Sequence, residues 1–266
     1  MQLPHSDTLS EKRIKEELDT LGVKYPEIAV YKCTDSTNTR AIERAEESSE
    51  DCIFIAEEQT AGRGRRGRSF SSPEGAGIYM SFLTHGEAEP EAAVGITAYA
   101  AVKVCLAVES LTDTELKIKW VNDVYLKGRK LAGILTEGAF DERGKLRYTV
   151  CGIGINVHKG GLTEELRDIA ISLEEGAEVR VDRNVLAARI IKEFLEGFGN
   201  FRDKSYHAEY TRRSFLVGKQ VTVHKLSESY PAKVKAVLED YSLLLDREGE
   251  EERLFTGEVS VREADK

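Results

Sequence analysis

The stretch GRGRRGR, Gly62 to Arg68, places four arginines and three glycines in seven consecutive positions of an otherwise acidic chain. Planar guanidinium forks match the oxygens of phosphates and carboxylates, and glycine lets a backbone come close to a ligand. Gly62, Gly64 and Gly67 formally satisfy the GxGxxG spacing of a dinucleotide site. That site needs a helix directly after the glycines, and the following SFSSPEGAG, with Pro73, Gly75 and Gly77, denies it. No GxxxxGK[ST] phosphate loop occurs. Three readings remain: a solvated basic loop, an arginine-rich RNA-binding segment, or a seat for a small polyanion such as a nucleoside triphosphate. The net charge of −9 and the lack of interleaved aromatics beyond Phe70 weaken the RNA reading. The small polyanion fits best.

Other residue groups carry potential chemistry. Ser36, Thr37 and Asn38 in DSTN offer hydroxyls and an amide at the start of a helical pattern. Capping alone explains Ser36 and Thr37 as well as ligand contact does, but Asn38 lies one position further inside. Gln59 precedes the arginine loop, and KWVND holds Lys119, Asn122 and Asp123. Lys130 and Gly133 lie in GRKLAGIL, and Asn156 in GIGINV. On pattern alone Lys130 is an exposed hairpin lysine. Trp120 is expected in the core. The histidines show no metal spacing, and Cys33, Cys52, Cys105 and Cys151 form no CxxC pair, so they are expected as buried thiols.

Elements that could position these residues follow from periodicity and turn signals. Residues 1–27 offer one short amphipathic helix stopped by Gly22. The segments IAVYKC, CIFIAEEQ and GIYMSFL read as strands, and DSTNTRAIERAEESS and Pro90 to Ser110 read as helices. LKIKW, LAGILTEGAF and LRYTVCGIGINV read as a largely antiparallel meander. A strong helix begins after Asp182, its expected cap, with Val185, Ile190, Ile191, Phe194 and Phe198 near one face. The expected class is α+β: a mixed, largely antiparallel sheet with helices on one face. From about Phe215, five short apolar runs predict a small β-barrel. The apolar run 92–110 suits a buried helix better than a membrane span, and the charged N-terminus lacks a leader pattern, so a cytoplasmic chain with no membrane partner is expected.

Taken together, DSTN, EEQTAGRGRRGRSF, KWVND, GRKLAGIL and GIGINV resemble, in order and spacing, the motifs of biotin protein ligases, over roughly Ile28 to the C-terminus. The resemblance implies activation of biotin with ATP and Mg²⁺ to biotinyl-5′-AMP. It then implies transfer to a lysine of a biotin carboxyl carrier protein or domain. It assigns the division 1–27 as a helical extension, 28–213 as the catalytic domain and 214–266 as an SH3-like β-barrel. Biotin would be held by Ser36, Thr37, Asn38, Gln59, Gly62, Arg63, Gly64, Arg65, Lys130 and Gly133. ATP or the adenylate would meet Arg63, Arg65, Arg66, Arg68, Phe70, Lys119, Asn122, Asp123, Lys130 and Asn156. Lys130, Arg63 and Arg65 would be catalytic, and Asp123 would hold the metal or accept from the incoming lysine. Val121 stands where the family has proline, and Phe70 where it often has tryptophan. Some members carry an N-terminal DNA-binding unit, for which the residues before the first strand are too few, so no DNA partner is expected; a homodimer is compatible with the family. A lipoate-specific ligase is the nearest alternative on the same fold, with DSTN and GRGRRGR together favouring biotin.

Overall fold

Side-chain alternation along the strands decides which element covers which face. A computed structural model of the chain describes residues 7–89, 92–201, 203–225, 228–255 and 260–263. Helix α1 (Glu11–Thr20) leads to strand β1 (Glu27–Tyr31), helix α2 (Thr37–Glu47), and strands β2 (Cys52–Ala56) and β3 (Gly77–Ala88). Helix α3 (Ala92–Glu109) is followed by strands β4 (Lys117–Lys119), β5 (Asp123–Leu126), β6 (Arg129–Phe140) and β7 (Leu146–Asn156). Helices α4 (Leu173–Ala177), α5 (Arg183–Phe198) and α6 (Lys204–Arg213) come next. The chain continues with strands β8 (Gln220–His224), β9 (Ser229–Val237), β10 (Leu243–Arg247), β11 (Glu250–Leu254) and β12 (Ser260–Glu263).

The first seven strands form one sheet in the order β1-β2-β3-β7-β6-β5-β4. Only β1 and β2 run parallel, so the sheet is mixed and largely antiparallel, as the meander predicted. Ile53, Ile55, Met80 and Phe82 point into a core shared with α3 and α5. Phe82 stacks on Phe194 of α5 with ring centroids 3.9 Å apart. Asp182 caps α5 as expected, its carboxylate accepting from the backbone N–H groups of Asn184 and Val185. Helix α3 is apolar almost all round because sheet, α5 and α6 surround it. It is the one helix among the described residues long and apolar enough to cross a membrane, and it is largely buried inside the protein.

Alternate residues of the same strands, Cys52, Phe54, Leu83 and Val150, face the other way and meet Ala41, Ile42 and Ala45 of α2. Thus α3 and α5 form the expected layer, while α2 covers only part of the opposite face. What lies beside α2 on that face is the site. KWVND, which reads as a loop after a strand, contains the first residue of β5, Asp123, with Trp120 and Val121 joined by a cis peptide bond.

Strands β8 to β12 make a five-stranded antiparallel sheet, in the order β11-β10-β9-β8-β12. Its inward Val221, Val223, Val234, Leu243 and Leu245 belong to the same continuous cluster as the first core. Trp120, buried as expected, donates from Nε1 to the carbonyl of Tyr241 at 2.6 Å. Cys52, Cys105 and Cys151 are buried, and burial pushes Cys105 and Cys151 up to about 12. Cys33 departs from the expectation and is exposed, because it follows the end of β1.

Candidate active site

Two rows of paired residues cross the open face of the large sheet. One runs Lys119, Asp123, Gly133, Gly154, Tyr79, and the next runs Leu135, Gly152, Ser81. Directly paired residues share a face, so Gly133, Gly152 and Gly154 leave adjacent strands bare at the same place. The bareness is required: a Cβ on Gly152 would run into the Asn38 amide, and one on Gly154 would lie 2.6 Å from the Phe70 ring. On Gly133 it would lie 3.1 Å from Lys130 Nζ. Three of the strip's neighbours are therefore side chains singled out from the sequence.

At the α2 end, polar side chains converge. Ser36 occupies the N-cap position but its side chain makes no capping bond, so the local explanation for DSTN fails there. Thr37 is buried and donates from both N and Oγ1 to Gln59 Oε1, at 2.9 and 3.1 Å. Gln59 Nε2 donates to Ser72 Oγ at 2.9 Å, which fixes the orientation of its amide. Buried Ser81 brings its hydroxyl within 2.6 Å of Asn38 Oδ1 and 2.7 Å of Thr37 Oγ1. Asn38 Nδ2 donates to Glu137 Oε2 at 2.8 Å and lies 3.4 Å from the Leu135 carbonyl.

The arginine loop folds back on itself beside these groups. Gly64 N donates to the Arg68 carbonyl at 2.7 Å, Phe70 N to the Gly62 carbonyl at 2.9 Å, and residues 65–67 form a single 3₁₀ turn. Arg66 takes φ 58° in the left-handed region and, like Arg68, is exposed. Gly62 is needed bare, since a Cβ would collide with the Phe70 carbonyl. Arg63 Nη2 donates to Glu137 Oε1 at 2.7 Å, and half-buried Arg65 donates from Nη1 to Asn122 Oδ1 at 3.1 Å. Burial, with the neighbouring Arg66 charge, lowers the Arg65 pKa, yet a guanidinium stays cationic, and losing water strengthens its attraction for an anion. Asn122 in turn donates from Nδ2 to the Ile134 carbonyl at 2.9 Å.

Lys130 lies on β6, and its ammonium is 2.8 Å from Asp123 Oδ1, an ion pair rather than an aligned hydrogen bond. Ser36, Thr37, Asn38, Gln59, Arg63, Gly64, Arg65, Phe70, Asn122, Lys130 and Gly133 thus line one cleft. Its free space is ≈ 50 Å³, far below the roughly 300–1,000 Å³ of small-molecule sites. Lys119 shares the row of Asp123 but turns its ammonium toward the Tyr125 ring, 5.7 Å from the centroid, outside the cleft lining. Asn156 lies on the Gly152–Gly154 face, one pair further along β7, and its Nδ2 is 3.4 Å from the Ile171 carbonyl. Asp123 is the one predicted metal ligand, and no group of three or more His, Cys, Asp or Glu side chains converges among the described residues.

Ser72, Ser81, Glu137, Gly152 and Gly154 belong to this arrangement but were not singled out from the sequence. The alternating glycines of GIG in a strand pattern were the available signal, because they strip side chains from one face. Glu137 also carried a signal, as a charge four positions after Gly133 on the same strand face.

A glycine-floored polar slot beneath a cationic loop can seat a small anionic ligand, and the family to which the chain belongs supplies the class, a ligase domain. The chain belongs to the biotin/lipoate A/B protein ligase family, whose model matches residues 30–156. It is 32% identical over 262 residues to the bifunctional ligase/repressor BirA of Escherichia coli (strain K12), a match covering 97% of this chain and 79% of that protein. It is 32% identical over 223 residues to the biotin–[acetyl-CoA-carboxylase] ligase of Mycobacterium tuberculosis (strain ATCC 25618 / H37Rv), covering 81% of each. The biotin protein ligase of Aquifex aeolicus in complex with biotin and ATP superposes with a TM-score of 0.76 at 26% identity, covering 90% of this chain and 100% of that one.

Proposed function

We propose that the chain joins biotin to AMP and passes the biotinyl group to a lysine of a biotin carboxyl carrier protein or domain. A biotin carboxylate oxygen attacks the α-phosphorus of ATP and pyrophosphate leaves. The lysine amine then attacks the acyl carbon, AMP leaves, and the amine loses its proton. The observation that carries this reading is that the oriented amides of Asn38 and Gln59 share one cleft with the cations of Arg65 and Lys130.

Ser36, Thr37, Asn38 and Gln59 supply both donors and acceptors, which a ureido ring needs on its two sides. Gly64, Gly133, Gly152 and Gly154 give the bicycle and its chain a surface of bare backbone, and Gly62 lets the loop fold closely on the Phe70 carbonyl beside it. Lys130 and Arg65 meet the carboxylate and α-phosphate, whose like charges oppose approach, and their stabilisation grows as charge develops in the transition state. Phe70 packs over Gly154 and offers its ring to the purine, with Asn156 further along that face. Arg66 and Arg68, exposed at the loop tip, draw in the phosphates, and Lys119 adds positive charge at the sheet edge. Asp123 is the carboxylate that would hold Mg²⁺ brought with ATP, and the ion would supply neutralisation of phosphate charge.

Residues 28–213 hold this chemistry, residues 214–266 form the small β-domain against it, and residues 1–27 are an extension. The same reading is compatible with a cytoplasmic location and with a homodimer. Biotin-dependent exchange of pyrophosphate into ATP, followed by labelling of a carrier-domain lysine, tests the activity; absence of both ends it. Displacement of labelled biotin by excess lipoate would reassign the acid, and sequence-specific gel shift would overturn the expectation of no DNA partner.

A further inference from the structure

Glu137 joins two residues of the cleft lining: Oε2 accepts from Asn38 Nδ2 at 2.8 Å and Oε1 accepts from Arg63 Nη2 at 2.7 Å. The first bond fixes an amide. Ser81 lies at Asn38 Oδ1, and ionised Glu137 only accepts, so the Asn38 amide has one orientation. The second bond joins chain segments 74 residues apart and is the side-chain contact that ties Arg63, at the start of the arginine loop, to the sheet. The loop's other ties are the bond from Arg65 Nη1 to Asn122 Oδ1 and backbone bonds near its own base, such as Gly64 to Arg68 and Phe70 to Gly62. Half-buried Glu137 and more exposed Arg63 form a charge-assisted bond that is partly open to solvent and therefore to screening by salt.

We infer that Glu137 is a positioning residue with two separable tasks: through Asn38 it orients the amide that meets biotin, and through Arg63 it latches the arginine loop over the adenylate. It touches no reacting atom. Arg63 lies in the cleft lining, so on this inference its bond to Glu137 breaks to admit the ligand and re-forms to retain it. The inference rests on the ligase reading for its ligand, although the latch itself is present without one.

The test compares wild type with Glu137→Gln and Glu137→Met. Glutamine keeps a carbonyl acceptor for Asn38 but loses the charge that holds Arg63, whereas methionine loses both. After biotinyl-AMP has formed without carrier, Glu137→Gln should release it about tenfold faster, with KM for biotin near that of wild type. Raising salt should speed release from wild type more than from the variant, which lacks the Arg63 ion pair, and so narrow the gap between them. Glu137→Met should release as fast and also raise KM for biotin. The ligand-free proteins supply a second readout, because trypsin should cut the loop arginines faster in both variants. Wild-type release and wild-type cleavage in Glu137→Gln would overturn the inference, as would salt-insensitive release from wild type. If wild type forms no adenylate, the ligase reading fails, and the trypsin comparison still decides the latch.

Discussion

Adding a single methyl at Gly152 should weaken biotin binding more than it weakens the fold. The Cβ of Gly152→Ala would overlap the Asn38 amide, the part of the molecule that Ser81 and Glu137 hold in place. Relieving the overlap means turning Asn38 off Glu137 and Ser81, at about 1 kcal/mol for each bond lost. It also leaves an amide of the wrong orientation facing the ligand, so the loss in binding should reach about 2–3 kcal/mol, or about 30–150-fold in Kd. The fold should lose only about 1–3 kcal/mol, the usual cost of overpacking, because the β7 backbone and its pairing to β3 and β6 are unchanged. Calorimetric titration with biotin, beside thermal melts, measures both. Gly154→Ala is the control: its Cβ would press on Phe70 and should raise KM for ATP with a smaller effect on biotin. Biotin affinity within twofold of wild type in Gly152→Ala would refute the argument that bare backbone at this row fits the ligand.

Other consequences can be checked separately. Lys130→Ala should lower the rate of adenylate formation by about 10²–10³-fold, with little change in melting, because its ion pair to Asp123 is partly exposed; pyrophosphate exchange reads the first and calorimetry the second. Phe70→Ala should raise KM for ATP several-fold while direct biotin titration changes less, since the ring lies over Gly154 rather than Gly152. Residues Gly64 to Arg68 should resist protease once biotinyl-AMP forms, because ligand seated beneath the loop adds contacts that its backbone bonds alone do not provide; equal cutting with and without ligand would contradict this. Asp7 reports on acid stability. Burial would raise its pKa, but hydrogen bonds from His158 and the Arg183 backbone, together with the Arg183 charge, hold it far below the ordinary 3.8. Its stabilisation is therefore complete above that value and is lost as pH falls below it. Asp7→Asn should melt lower than wild type at pH 7, and the gap should narrow progressively as pH falls below about 4; a constant gap would show that Asp7 is not the titrating group.

The fold was legible where local pattern and packing agree. Asp182 reads as a cap and caps α5, and Ile190, Ile191 and Phe194 recur at helical spacing and are buried. Trp120 reads as core and lies there. The placement of α2 was not legible, because an amphipathic helix records that one stripe is buried but not on which face of a sheet. Likewise the residue types of DSTN leave capping and ligand contact equally open for Ser36 and Thr37, and only the contacts of Thr37 and Asn38 with Gln59, Ser81 and Glu137 show where their side chains turn.

By itself the sequence determined part of the reactive inventory, the GRGRRGR loop and the DSTN polar group, while Lys130 and Gly133 stood out only through the family resemblance. It did so because residue type and short-range spacing fix charge, hydrogen-bonding capacity and backbone freedom. The tertiary structure decided which of these meet. Sheet register sets Gly133 beside Gly154 and Leu135 beside Gly152, and carries Glu137 to Asn38 across 99 residues and to Arg63 across 74. Glu57 pairs with Arg183 across 126 residues and accepts from Leu9 N, anchoring the strand end from which the arginine loop departs. Partners so far apart leave no local periodicity, since their meeting depends on strand order and register that emerge only when the whole sheet closes on its core.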